Sequence, residues 1–130
     1  MIWVKVDFHS GEPVYKQIVQ SLKGDIISGK LSNNEAIPSI RELARDLNIN
    51  PNTVARAYRE LESEGYIYTR PGVGNFIKQS DEKTMETKAL EMLGNELIEI
   101  INTARSYKLP RKKFAEFVMQ TIDNVYGGDE

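Results

Sequence analysis

The chain is 130 residues long, with 40% hydrophobic residues, 28% charged residues and a net charge of −2. That composition is typical of a soluble globular protein, and the length suits one domain with an extension. The lack of cysteine excludes disulfides and thiolate chemistry, and a single histidine excludes a histidine-based metal cluster within one chain. No apolar run approaches the roughly 20 residues that span a bilayer, and the first residues do not resemble a signal peptide. We therefore expect a cytoplasmic protein with no membrane partner.

An extended segment and a long helix are predicted at the N-terminus. Apolar and polar residues alternate over residues 2–8, which predicts a short strand or an extended arm. Over residues 13–28 the apolar residues recur at helical spacing. They are Tyr15, Ile18, Val19, Leu22 and Ile26. A polar loop over residues 30–37 follows, and we expect Leu31 and Ile37 to anchor it in the core.

The second predicted helix begins with a capping box. Ser39 and Glu42 form the Ser-x-x-Glu pattern, in which each side chain hydrogen-bonds to a free backbone N–H of the first turn. Apolar residues then recur at helical spacing. Asn48 can take the left-handed conformation that ends a helix. The pattern predicts a short amphipathic helix between Ser39 and Asn48.

A third helix follows almost at once. Asn50 is a good N-cap, Pro51 suits the first helical position, and Gly65 is typical of a helix end. One side of the helix carries Val54, Ala57, Tyr58 and Leu61. The opposite side carries Asn52, Arg56, Arg59 and Ser63, with Thr53 between the two sides. Two helices with a short connection, the second with a polar N-terminal end, are typical of a helix-turn-helix that reads base edges.

Residues 66–78 change from helical spacing to alternation. Strand formers flank the turn Pro71-Gly72-Val73-Gly74, which predicts a β-hairpin and indicates the wing of a winged helix. Gly72 and Gly74 allow the backbone to approach a partner closely, with Arg70 beside them. An ordinary hairpin that only covers the core would explain the same residues.

Two helices are predicted in the C-terminal part, after a polar stretch over residues 79–87 that indicates a linker or a frayed helix start. The first helix carries an apolar stripe that includes Leu90, Leu93, Leu97, Ile100, Ile101 and Ala104. Pro110 then forces a break. The second helix carries Phe114, Phe117, Val118 and Ile122 on one face. Gly127-Gly128 should end it, with the last residues disordered.

Two helices of this length cannot bury both stripes against each other alone. We expect a second copy of the chain to complete this core, because closed twofold dimers are the commonest oligomers. The alternative is that the tail packs back onto its own winged helix. The tail is too short to enclose a conventional ligand pocket, and the residues indicate no cofactor and identify no small-molecule effector.

These elements together resemble the GntR family of bacterial transcription regulators. The matching runs are Pro38-Ser39, Arg41-Glu42-Leu43-Ala44, Thr53-Val54, Leu61-Glu62, Glu64-Gly65 and Gly72-Val73-Gly74-Asn75-Phe76-Ile77. Within the family, Asn50-Pro51-Asn52-Thr53-Val54 followed by Arg56-Ala57-Tyr58 resembles the YtrA-like subfamily. The resemblance covers roughly residues 8 to 78.

The resemblance implies a mostly α fold with a small β wing. A winged helix-turn-helix DNA-binding domain would occupy residues 1–79, and a short helical dimerisation region would occupy residues 80–130. Many family members have glycine where Asn34 and Asn48 stand, and Asn is the next best residue for a positive φ. Many members have arginine at positions 51 and 55, where this chain has proline and alanine, so contacts from those positions do not carry over.

A set of DNA-binding residues follows from the helix positions and the resemblance. The set is Ser39, Arg41, Asn50, Asn52, Thr53, Arg56, Arg59, Arg70, Gly72 and Gly74. Ser39 and Asn50 are also explained as helix caps alone, and Arg41 as a solvated charge. The two arginines of the third helix could instead form ion pairs with glutamates three or four residues further on.

The charges are distributed unevenly along the chain. Residues 37–79 contain six basic and five acidic residues, whereas residues 80–130 contain seven basic and ten acidic residues. Three glutamates lie late in the third helix, while the arginines lie where the motif would face DNA. We expect a local positive face on an acidic protein.

The predicted function is a homodimeric, sequence-specific DNA-binding regulator, and the resemblance implies a repressor. Its partners would be double-stranded operator DNA and a second copy. A twofold dimer would place two recognition helices on half-sites about one DNA turn apart, or a multiple, and would read an inverted repeat. The alternative is a winged-helix protein-interaction module without sequence-specific DNA binding. An enzyme is the weakest reading, because the sequence offers no credible nucleophile or metal site.

Overall fold

The computed structural model describes residues 4–79 and 81–127, in an N-terminal unit, Met1–Glu86, and a C-terminal unit, Thr87–Glu130. The helices of the described residues are α1 (Val14–Ile27), α2 (Ile40–Leu47), α3 (Pro51–Ser63), α4 (Glu82–Ser106) and α5 (Arg111–Tyr126). The strands are β1 (Ala36–Ile37), β2 (Ile67–Arg70) and β3 (Gly74–Ile77). The predicted fold class, mostly α with a small β wing, is confirmed.

The core of the N-terminal unit forms where α3 packs against α1, α2 and β2. Side chains with no solvent exposure come from α1, α3 and β3, and they include Ile18, Leu22, Ile26, Val54, Leu61 and Ile77. Fully burying each such side chain contributes about 1.5–3 kcal/mol. The predicted apolar faces of α1 and α3 are confirmed. Tyr15 is the exception, because it is only half-buried at the edge of the core.

The N-terminal segment is an extended arm held against α1. Residues 4–7 have no regular secondary structure, and Val4 is buried in the core. The arm is fixed by Gln17, whose Oε1 accepts a hydrogen bond from the Asp7 N–H at 2.8 Å. The Gln17 amide nitrogen donates to the carbonyl oxygens of Asp7 and Glu12, each at 2.9 Å. The predicted arm is therefore observed over residues 4–7, a turn begins at residue 8, and residues 2–3 of the predicted segment lie outside the described residues.

The strands form one antiparallel sheet in the order β1-β3-β2. β2 and β3 are the predicted hairpin. The prediction of a loop over residues 30–37 was wrong at its end, because Ala36 and Ile37 form β1 and pair with β3. A strand of two residues is too short to show alternation in the sequence. Leu31 and Ile37 are buried, as predicted.

Two asparagines take the left-handed conformation where the chain turns. Asn34 has φ 66° before β1, and Asn48 has φ 56° at the end of α2. The Asn34 N–H donates to the carbonyl oxygen of Ile77 at 2.7 Å, which joins the turn to β3. The N–H of Asn48 bonds to carbonyl oxygens of the last turn of α2. The expectation that asparagine supplies positive φ at both positions is confirmed.

The C-terminal unit consists of the remainder of α4 and α5, which make few contacts with each other. Helix α4 begins at Glu82, inside the stretch predicted as a linker or frayed helix start, and the Asp81 carboxylate accepts from the Thr84 N–H at 2.8 Å. Pro110 caps α5, and Gly127 ends it with φ 65°. Gly128 and the predicted disordered end lie outside the described residues. None of the helices in the described ranges is long and apolar enough to cross a membrane.

The backbone at Asn48 makes a first prediction about stability. Asn48→Ala should lower the free energy of unfolding by about 1 kcal/mol, because alanine is strained at positive φ. Asn48→Gly should leave it unchanged or raise it. Urea unfolding of both variants beside the unmodified protein measures the difference. Equal stability of the two variants would show that the left-handed conformation does not constrain this position.

Candidate nucleic-acid interface

The N-terminus of α2 is closed by the predicted capping box. The Ser39 hydroxyl accepts from the Glu42 N–H at 3.1 Å, and the Glu42 carboxylate accepts from the Ser39 N–H at 2.9 Å. Hydrogen bonding from the Ser39 backbone holds the pKa of Glu42 below its usual value, with smaller effects from the Ser39 side chain and the Arg45 charge. Arg41 lies exposed in this first turn. The helix start is therefore rigid, and its remaining N–H groups and Arg41 are available to an anion.

The start of α3 is also capped by a side chain. The Asn50 side chain accepts from the Asn52 N–H at 2.8 Å, and Pro51 occupies the first helical position. The two helix starts are connected, because the Tyr58 hydroxyl donates to the Pro38 carbonyl oxygen at 2.7 Å. Burial, with the nearby Glu42 charge, raises the pKa of Tyr58, so the phenol remains a donor at neutral pH. This bond fixes where α2 begins relative to α3.

The two sides of α3 lie as the sequence predicts. Val54, Ala57 and Leu61 have no solvent exposure. On the other side Asn52, Arg56 and Arg59 are exposed, with Thr53 half-buried between the sides and Asn50 exposed at the cap. The structure thus brings amide, hydroxyl and guanidinium groups together on the exposed side of one helix. Such groups can form paired hydrogen bonds with base edges.

Arg56 makes a contact that the sequence does not indicate. Its Cζ atom lies 3.8 Å from the ring centroid of Tyr15, and its Nη2 atom donates to the Tyr15 hydroxyl at 3.2 Å. Within the described residues, no ion pair joins Arg56 to Glu60 or Arg59 to Glu62, so the intrahelical alternative is wrong in this structure. Helical spacing predicts Tyr15 as part of the apolar stripe of α1. It is 41 residues away along the chain, and no local pattern connects the two.

The C-terminal end of α3 is acidic, in contrast to the arginines nearer its N-terminal end, and it is joined to α1 by an ion pair just after the helix. Lys23 of α1 forms an ion pair with Glu64 at 2.8 Å. The same ammonium group lies 5.2 Å from the ring centroid of Tyr66. Glu64, just after this end of the helix, is therefore joined to α1, while the arginines lie nearer the N-terminal end. The charge difference along α3 agrees with the expected local positive face.

The hairpin is braced by aromatic and polar pairs. Tyr68 and Phe76 lie opposite each other with ring centroids 5.6 Å apart, and the Arg70 guanidinium lies 5.6 Å from the Phe76 ring centroid. Gly72 has φ 75° and Gly74 has φ 152°, values that disfavour side chains with a Cβ. A Cβ at Gly72 would meet no atom within 4 Å, so conformation and not space demands glycine there. The turn is exposed backbone with a cation beside it.

Comparison with known proteins agrees with this geometry. Residues 14–77 match the family described as bacterial regulatory proteins, gntR family. The HTH-type transcriptional repressor YtrA from Bacillus subtilis (strain 168) is 34% identical to this chain over 125 residues, which cover 96% of each of the two chains. The chain belongs to the GntR family. The match to YtrA over nearly its whole length places it in the YtrA-like subfamily.

Solved structures show the same architecture. The crystal structure of a transcriptional antiterminator from Listeria monocytogenes EGD-e matches 99% of this chain and 96% of its own, with 32% identity and a TM-score of 0.71. The crystal structure of AraR(DBD) in complex with operator ORX1 matches 59% of this chain and 99% of its own, with 26% identity and a TM-score of 0.52. This GntR protein is thus a member of a family of transcription regulators, with a winged-helix DNA-binding domain.

The capping box of α2 predicts a pH dependence of stability. Because the pKa of folded Glu42 lies below its usual 4.5, this carboxylate stabilises the fold above that pH. The contribution is lost as the pH falls through the lowered value. Glu42→Gln can still accept from the Ser39 N–H but does not titrate, so the free energy of unfolding should fall less steeply on acidification. Urea unfolding from about pH 6 to about pH 3 tests this. Parallel curves for the two proteins would contradict it.

Proposed function

We propose that this protein is a homodimeric repressor that binds an inverted-repeat operator in double-stranded DNA. The observation that carries the proposal is the exposed polar side of α3, set beside the capped start of α2. Support comes also from its similarity to YtrA, which is a transcriptional repressor. Repression would be steric, because a bound dimer occupies DNA that polymerase needs.

The proposed DNA contacts follow from residue type and position. Asn52, Thr53 and Arg56 enter the major groove at the leading end of α3, where asparagine suits adenine and arginine suits guanine. Phosphates are bound by the two helix starts and by cations further from the bases, with Gly72 and Gly74 bringing the wing backbone close. The phosphate-binding residues are Ser39, Arg41, Asn50, Arg59 and Arg70. The operator complex of AraR(DBD) is a precedent for DNA binding by a domain of this fold.

The C-terminal unit supports the homodimer. Its apolar stripe is left in contact with solvent in a single chain: Leu90 is 70% exposed and Phe117 is 65% exposed. The other predicted interface residues that are exposed are Leu93, Leu97, Ile100, Ile101 and Ile122. Phe114 and Val118 are half-buried, and Ala104 is buried. Soluble proteins rarely expose so much contiguous apolar surface unless a partner covers it.

A groove between α4 and α5 gives the partner a place to pack. It has a volume of about 360 Å³ and is lined mainly by apolar side chains, including Leu97, Ile101, Phe114 and Val118. A second copy offers the same stripe in return, and an interface of this kind is self-complementary about a twofold axis. We therefore assign residues 1–79 to DNA binding and residues 80–130 to dimerisation.

The first experiment is binding of the purified protein to the DNA upstream of its own gene, followed by footprinting. Protection of an inverted repeat supports the proposal. If this DNA is not bound, selection from random sequences gives the operator directly. Failure of both would overturn DNA recognition.

The affinity for DNA should also depend on salt. Because several phosphate contacts release counterions, the affinity should fall on the order of 10³-fold between about 50 and about 200 mM salt. A flat salt response would favour a protein partner instead.

Arg56→Ala tests the base contact. If Arg56 pairs with a base, its loss should weaken operator binding by about 1–3 kcal/mol, measured by fluorescence anisotropy. Lys30→Ala removes an exposed cation outside the proposed site and should change binding by less than about 0.5 kcal/mol. An Arg56→Ala protein that binds as tightly as the unmodified protein would remove Arg56 from the interface.

Phe117→Glu tests the dimer. A charge in an apolar interface is costly, whereas this side chain is exposed in the single chain, so the subunit should stay folded. Light scattering should show a mass close to the 14.8 kDa of one chain. Gln120→Glu places the same charge on an exposed position of the same helix and should remain a dimer. A dimeric Phe117→Glu protein would place the interface elsewhere.

A further inference from the structure

The Tyr15–Arg56 contact distinguishes one arginine of the interface from the others. Arg56 both stacks on a ring at 3.8 Å and donates to its hydroxyl at 3.2 Å. Arg70 lies near a more distant ring, that of Phe76, at 5.6 Å. Tyr15 also belongs to a different helix, α1, so the contact crosses from the supporting helix to the exposed side of α3.

We propose that Tyr15 is a positioning residue that holds the Arg56 guanidinium ready for a base, so that α1 takes part in sequence recognition through α3. The inference rests on the proposed function, because it needs DNA binding by Arg56. Tyr15 lies outside the helix-turn-helix and the wing, and it would be a further residue that determines DNA sequence specificity.

The physical reason is conformational entropy. An arginine side chain has on the order of 2 kcal/mol of rotamer entropy to lose when it is fixed on a ligand. Stacking on a tyrosine ring removes part of that freedom before DNA arrives, and preorganised groups bind with a smaller entropic cost. The ring covers one side of the planar guanidinium, and the tyrosine hydroxyl takes one N–H. The other N–H donors remain for the paired hydrogen bonds that a guanine accepts.

The position of Tyr15 in the fold suits it to hold the Arg56 side chain in place. It is half-buried and packs against the core, one turn before Ile18 and Val19, which are buried. Helix α1 packs against α3 through that core. Contact with the core therefore restricts the ring on the side that faces the two helices. A partner on α3 itself, such as Glu60, would not connect the arginine to α1.

Two other roles for Tyr15 give different results in one experiment. The hydroxyl could bind a phosphate directly, independently of Arg56. The ring could also hold Arg56 away from DNA, in which case its removal would tighten binding. A double-mutant cycle separates these from positioning, because only positioning makes the effect of Tyr15 depend on Arg56.

The cycle uses the full chain with Tyr15→Leu, Arg56→Ala and both changes, titrated on the selected operator and on unrelated DNA. Tyr15→Leu should weaken operator binding about two- to fivefold, the range of an exposed cation–π contact, with unrelated DNA unaffected. In the Arg56→Ala background the same change should have no effect. Selection of sites with Tyr15→Leu should also relax the base preference at the position that Arg56 reads. A purely structural role would not change that single position.

Tyr15→Phe guards against misfolding, since it keeps the ring and the packing. It should bind within about twofold of the unmodified protein, because stacking remains. A loss with Tyr15→Phe that persists in the Arg56→Ala background would show direct contact by the hydroxyl and overturn positioning. Tighter binding by Tyr15→Leu, or an unchanged affinity and base preference, would also overturn it while leaving the DNA-binding function intact. If the unmodified protein selects no DNA sequence, both the function and this inference fail.

Discussion

Burial of one side of α3 is the constraint on which the N-terminal unit depends. Val54, Ala57 and Leu61 have no solvent exposure and fix the rotation of the helix about its own axis. Because an α-helix has 3.6 residues per turn, fixing one side also fixes which residues face away. Asn52 and Arg56 are therefore exposed as a consequence of packing. A core that fixes the helix also fixes the positions from which the exposed groups extend. Discrimination between bases requires binding groups in such defined positions.

Burial sets rotation but does not set where a helix begins, and the ends of α2 and α3 are fixed by polar contacts instead. The capping box at Ser39 closes the start of α2, and the Asn50 side chain closes the start of α3. The Tyr58 hydroxyl connects them through the Pro38 carbonyl. Leaving a buried hydroxyl unpaired costs free energy, so an arrangement of α2 and α3 that breaks this bond is disfavoured. In the candidate interface, apolar packing thus sets the direction in which side chains of α3 point, and polar contacts set where α2 and α3 begin.

The parts of this structure that were predictable from the sequence are those with local causes. Caps such as Ser39 and the positive φ of Asn48 depend on neighbours within four residues, and the helical spacing of α3 is equally local. The contacts that were missed join distant parts of the chain. The β1 strand forms only because β3 supplies its hydrogen bonds, and the Tyr15–Arg56 contact spans 41 residues. Spacing placed Tyr15 on the core side of α1, and only the packing of α1 against α3 shows that it reaches an arginine.

In the proposed dimer, the apolar surface of the C-terminal unit would give dimerisation a direct effect on DNA affinity. One winged helix would contact few bases, so a single half-site would be a weak target. Once one subunit of a dimer is bound, the second meets its half-site at a high effective concentration, and the combined affinity rises without any new contact. The gain exists only if the spacing of the half-sites matches the spacing of the subunits. Side chains such as Leu97 and Ile101, which would never touch DNA, would then control how tightly and at what spacing it is bound. Selection on the tail would act on operator geometry, while selection on α3 and Tyr15 would act on base sequence.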